Sequence, residues 1–196
     1  MQRHPPFASA AAAFVLWALP AYAELPLEPE IASAYTRTLR VPAPSTWFLV
    51  EARNHATGAS GAVAMLFGVA QERGRSRRAI LRVDCFEGRT TLQIDAPGLH
   101  LGESAVAVRQ SLDGRPFVSA TWDASADRGG LELSDERAMA FLAGLYGKSE
   151  LRLALVQPLS VPFWFTFAVT GADAVLGALA ERCHWPGRPP PSEAGR

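Results

Sequence analysis

The chain has 196 residues, with 19 basic side chains against 19 acidic ones and a formal net charge of zero. That balance leaves no field of one sign, and so excludes a nucleic acid or an anionic bilayer as a partner chosen by charge. Apolar residues make up 48 % of the sequence, enough for a single domain with a sizeable core.

Residues 1–23 read as a secretory signal peptide. Arg3 and His4 precede an apolar stretch from Phe7 to Pro20, and Ala21-Tyr22-Ala23 has the small-x-small form that signal peptidase cleaves. The apolar run is shorter than the roughly 20 residues a membrane-spanning helix needs. Export to the periplasm is therefore expected, with no transmembrane segment after cleavage. Residues 24–44 form a proline-marked lead-in, in which "PEIASAYTRTL" has the spacing of a short helix: Ile31, Tyr35 and Leu39 share one side.

From residue 45 the pattern turns to strands. "WFLVEAR" and the apolar "AVAMLFGVA" flank a polar turn, and the arginine-rich "QERGRSRR" reads as a solvated hairpin loop. "AILRVDCF" and "TTLQIDA" alternate apolar and polar residues on either side of "EGR", which predicts a hairpin with one wet face. "SAVAVRQSL" and "RPFVSATWD" flank Asp113-Gly114, a strong two-residue hairpin signal. "GGLEL" is a further short strand. Ser134 is placed to cap a helix running from Asp135 to about Tyr146, with Gly147 as its stop. "ELRLALVQP" and "PFWFTFAVTG" are two more apolar strands, and Gly171 begins a final helix. The tail, residues 186–196, is proline-rich and has no core to join.

Hairpin-length links between neighbours imply antiparallel pairing. The expected fold is α+β and predominantly antiparallel β: a two-sheet sandwich or partly open barrel, closed by two helices near the C-terminus. Residues 45–185 make this single domain.

The chain has two cysteines, which in an exported protein predicts a disulfide. Cys85 alternates with Arg82 and Asp84 in its strand and points with Leu81 and Val83. Cys183 shares a helical stripe with Val175, Leu176 and Leu179. Both therefore face the core. Trp185 is expected to pack over the helix end and shield the sulfurs. The rival reading is a reactive thiol at Cys183 assisted by His184.

Other chemistry has weaker signals. Ser60 in "TGASGA" with His55 upstream is a possible nucleophile and base, but these residues also suit a turn and there is no G-x-S-x-G elbow. His55, His100 and His184 lack metal-ligand spacing, although His100 shares a loop with Glu103. No metal and no cofactor are predicted. Asp84, Glu87 and Asp95 are the carboxylates closest to a pair, in or beside one hairpin. Arg109 and Trp122 lie on neighbouring strands across the Asp113-Gly114 turn, and an arginine stacked on a tryptophan makes either a core edge or a binding surface. They are the candidate binding surface. The run Phe163, Trp164, Phe165, Phe167 is read mainly as core, with alternate rings available as a contact patch.

In order and spacing, "LRVDCFEGRTTLQI", "VAVRQSLDG", "TWDAS", "AMAFLAGL", "LRLALVQP", "FTFAVTG" and "CHW" resemble the exported VasI/TagO family of periplasmic proteins associated with type VI secretion. The resemblance covers roughly residues 81–185. It implies a non-catalytic envelope accessory or binding module, with an envelope protein or cell-wall component as partner. The alternative is a periplasmic hydrolase with a carboxylate- or Ser/His-based site.

Overall fold

In the computed structural model, residues 35–39, 47–54, 57–155 and 162–185 are described, the side chains of 35–39 excepted. The expected signal peptide, most of the lead-in, His55 and residues 186–196 lie outside them.

Three strands succeed one another at the start: β1 (Tyr35–Leu39), β2 (Trp47–Arg53) and the long β3 (Ser60–Glu72). β4 (Arg75–Phe86) and β5 (Arg89–Asp95) follow, then β6 (Ala105–Leu112), β7 (Val118–Ala124) and β8 (Gly130–Ser134). Helix α1 (Asp135–Ala143) precedes β9 (Glu150–Leu155) and β10 (Phe163–Ala168), and α2 (Ala172–Cys183) ends the described chain.

Eight strands close into a barrel in the order β3-β4-β5-β8-β7-β6-β9-β10 and back to β3, and every pairing is antiparallel. The sandwich alternative therefore does not apply. Closure rests on the length of β3. One of its edges pairs with β4 from Gly61 to Glu72. The other pairs first with β2, up to Leu66, and then with β10, from Val69 to Gln71. Gly68 sits at the change of partner. A Cβ there would lie 2.3 Å from the Phe167 ring and 2.5 Å from the Thr166 carbonyl oxygen, so only glycine lets β10 come this close.

β2 stands outside the ring beside β3, with β1 at its outer edge. The lead-in helix expected across Tyr35 and Leu39 is thus corrected, since residues 35–39 are a strand. β-Branched Thr36 and Thr38 suit a strand, and the free edge of β2 supplies backbone partners that outweigh a weak local helical pattern.

The hairpins follow the turn chemistry. Asp113 and Gly114 have φ of 49° and 69°, the positive pair that matches strand twist in a two-residue turn, and Arg73-Gly74 and Glu87-Gly88 do the same. The arginine-rich loop is consequently only two residues long, and Arg75, Arg77 and Arg78 belong to β4.

Alternate residues of the strands fill the barrel. Leu81, Val83, Leu92, Ile94, Leu131, Leu151, Phe165 and Phe167 are all fully buried. Each such side chain contributes about 1.5–3 kcal/mol relative to exposure. The α2 residues Val175, Leu176, Leu179 and Cys183 join the same core as Trp47 and Leu49 of β2. The helix thereby covers the place where β2 and β10 part. Trp47 Nε1 donates to the Val169 carbonyl just before the helix, at 3.4 Å.

Only α2 is near the C-terminus; α1 lies between β8 and β9. It buries Ala138 and Leu142 and ends at Ala143, three residues before the expected stop at Tyr146. Contrary to expectation, the Ser134 side chain does not cap the helix; its hydroxyl bonds the Glu132 carboxylate at 3.2 Å instead. Gly147, with φ of 67°, ends the turns that follow and donates its N–H to Asp173 at 2.7 Å.

Cys85 of β4 and Cys183 of α2 form the expected disulfide, with Cα atoms 6.0 Å apart. The reactive-thiol reading of Cys183 is excluded with it. Trp185 is half-buried against the core and donates its indole N–H to Thr90, the ladder partner of Cys85.

Candidate functional site

The Arg109 strand position sets its surroundings. Register places Arg109 opposite Ser119 on β7 and Ala154 on β9, and Ala154 is opposite Trp164 on β10. These residues form one row on the outside of the barrel. The Arg109 guanidinium carbon lies 5.4 Å from the centre of the Phe117 ring, and Phe117 meets Trp164 edge-on at 5.8 Å. Ala154 is buried although its row faces outward, because the larger side chains flank it. Trp164 remains 40 % exposed. The result is a cationic and aromatic surface formed by β6, the segment leading into β7, and β10.

Trp122 is not part of that surface. It pairs with Val106, is fully buried, and meets Phe141 of α1 edge-on at 5.0 Å. Parity explains this. Arg109 pairs with residue 119, an odd number of residues from 122, so the two side chains leave opposite faces of the sheet. A strict two-residue turn, which pairs Leu112 with Arg115, would instead set Arg109 opposite residue 118 and on the same face as Trp122. The ladder is shifted by one residue beyond the turn, and that shift, which the sequence did not signal, separates the two. The sequence did hold the outward ring, since Trp164 stands between Phe163 and Phe165, both of which face the core. The contribution of Phe117, before the strand begins, had no such signal.

The carboxylates occupy another outward row. Arg82 Nε is 3.0 Å from Asp84, Arg82 also bonds Gln93, and Gln93 donates to Glu132 at 2.8 Å. Burial raises the Asp84 carboxyl above the ordinary carboxylate range despite the pull of Arg82, and does the same to Asp95. Glu87 is the exposed first residue of the β4–β5 turn, set apart from this ladder. His100 and Glu103 lie in the loop between β5 and β6, and among the described residues no three His, Cys, Asp or Glu side chains converge as metal ligands would.

Two clefts contain residues singled out by the sequence or by packing. One, of about 230 Å3, lies between the β6–β7 hairpin and α1, lined by Gln110, Leu112, Pro116, Val118 and Phe141 among others. The other, of about 510 Å3, brings Ser60 and His184 together with Arg53, Arg182 and Glu51. Asp84 and Asp95 line neither.

Set against known proteins, the chain matches no family model and is significantly similar to no curated protein and no solved structure.

Proposed function

We propose that this chain is an exported, non-catalytic envelope module that binds an envelope protein or a cell-wall component through the surface of Arg109, Phe117 and Trp164. The observation that carries the reading is Trp164, a large ring left 40 % exposed beside a guanidinium already stacked on its neighbour. Such a pair offers an apolar plane and a fixed charge at little entropic cost, the usual composition of a binding hot spot. The signal-like residues 1–23 and the resemblance to the VasI/TagO family support the compartment and the accessory role.

The alternative, a periplasmic hydrolase, draws on the raised Asp84 and Asp95 carboxyls, since perturbed groups cluster at catalytic sites. It ranks second because Asp84 is already paired with Arg82 and neither carboxyl lines a cleft described above.

A photoreactive residue replacing Trp164, expressed in intact cells, tests the binding reading. Cross-linking to a discrete envelope protein, or co-sedimentation of the purified protein with cell-wall sacculi that Arg109→Ala abolishes, is the expected result. The two arms distinguish the two partners. A protein that does neither, or that remains cytoplasmic with residues 1–23 attached, overturns the reading. Hydrolysis of sacculi abolished by Asp84→Asn would establish the alternative.

A further inference from the structure

Among the described residues, the ion pairs Arg82–Asp84, Arg89–Asp135, Arg137–Asp123, Lys148–Asp113 and Arg152–Glu150 leave Arg53 and Arg182 unused. Both arginines line the 510 Å3 cleft, with the Ser60 hydroxyl and His184 beside them and Glu51 as its single lining carboxylate. Three elements deliver these groups. Arg53 ends β2 and pairs with Ser60, which starts β3. Arg182 and His184 flank Cys183 at the end of α2, and Cys183 is bonded to Cys85 on β4.

We propose that this cleft is an oxyanion-binding site, fitted to a carboxylate or phosphate group of a small ligand, and that the disulfide holds its two halves together. Arginine presents five N–H donors in a planar fork that matches both groups. Arg182 uses one of them, from Nη1 to the Ala178 carbonyl at 3.1 Å, which fixes the side chain along the helix and leaves its other donors for a ligand. The hydroxyl of Ser60 adds a neutral donor. The carbonyl end of α2 opposes an anion with about half a charge and the Glu51 carboxylate with a whole one, and the two guanidinium charges still exceed their sum. His184 reaches the cleft because it adopts a left-handed conformation, φ 52° and ψ 41°, where the helix stops.

The site shares no residue with the Arg109 surface and does not depend on it. A second cleft of arginines, Arg73, Arg75 and Arg77 with Glu72, gives an internal control. It lies at a hairpin tip, has no hydroxyl or histidine in its lining, and Arg77 is committed to the Pro97 carbonyl at 2.6 Å.

The experiment is titration of the isotope-labelled, disulfide-bonded protein with inorganic phosphate and, separately, acetate, read by amide chemical shifts at constant ionic strength with chloride as reference. Saturable shifts are expected at residues 53, 60, 61 and 182–184, and not at 73–77. Arg53→Gln and Arg182→Gln should each weaken binding about tenfold, with the rest of the spectrum unchanged. Whichever of phosphate and acetate saturates at lower concentration identifies the preferred oxyanion. The Cys85→Ala/Cys183→Ala double variant should lose the saturable response, and if it fails to fold, the arginine variants alone decide. Shifts that rise linearly, match chloride, or appear equally at Arg73 and Arg75 overturn the proposal.

Discussion

The indole N–H of Trp185 donates to the hydroxyl of Thr90 at 2.7 Å, and Thr90 is the strand partner of Cys85. The last described residue is thereby anchored one position from the disulfide. Thr90 is 2 % exposed, so its hydroxyl has no water to replace a lost partner. Trp185→Phe keeps the ring and removes the donor. It should cost about 1–3 kcal/mol, the penalty for orphaning a buried polar group. Adding Thr90→Val should recover part of that loss, and urea unfolding of the two single variants and the double variant measures the coupling.

Cys85 and Cys183 are 98 residues apart in sequence. Closing a loop of that length restricts the unfolded chain by about 4–5 kcal/mol on the chain-entropy model. Cys85→Ala and Cys183→Ala should therefore lower stability by similar amounts, and the double variant by little more than either. A double variant whose loss equals the sum of the two would show independent packing roles instead of one bond. The comparison is made by chemical denaturation under non-reducing conditions.

Closure of the barrel depends on Gly68. Gly68→Ala would place a methyl group 2.3 Å from the Phe167 ring and 2.5 Å from the Thr166 carbonyl oxygen, so β10 must move off β3. Overpacking of this kind costs about 1–3 kcal/mol. Hydrogen exchange should show lost protection at residues 69–71 and 164–166, with the β4–β5 hairpin retained. Unchanged protection at β10 would mean that the seam does not need the glycine.

Asp95 and Asp113 should impose opposite pH dependences. Burial is the largest cause of the raised Asp95 carboxyl, with Asp127 and Glu132 adding to it and Arg82 opposing. The native state then holds the proton more tightly than the unfolded chain. Stability from this group is full below the unfolded value near 3.8 and declines as pH rises through the higher folded value. Asp95→Asn should consequently be more stable than the parent at neutral pH, and the difference should vanish below about pH 3.8.

The Asp113 carboxyl is lowered, first by the Ser149 N–H, then by the Ser149 hydroxyl and the Glu150 N–H. Its contribution is present above the unfolded value and is lost as pH falls through the lower folded value. Asp113→Asn, which tolerates the same turn conformation, should be less stable than the parent at neutral pH and match it in strong acid. Urea unfolding across pH 2–8, an interval of about six units chosen to bracket carboxylate titration, checks both signs.

Local chemistry determined much of this protein in advance. Alternation placed Leu81, Val83 and Cys85 on one face, the helical stripe placed Cys183 inward, and a scarcity of cysteines in a chain with an export-like start paired them. Asp113-Gly114 set a turn because its two positive φ values are intrinsic to that dipeptide. Such features depend on residues a few positions apart, so they can be read along the chain. Only the tertiary structure decided the rest. β3 finds β2 and then β10 along a single edge, which converts a possible sandwich into a barrel, and that choice depends on partners about a hundred residues away. Residues 35–39 become a strand because the free edge of β2 offers hydrogen bonds that no local pattern encodes. The gathering of Arg53, Ser60, Arg182 and His184 has the same origin. Four residues without mutual spacing become neighbours when the disulfide draws the end of α2 to β4, and the cleft they line follows from that closure.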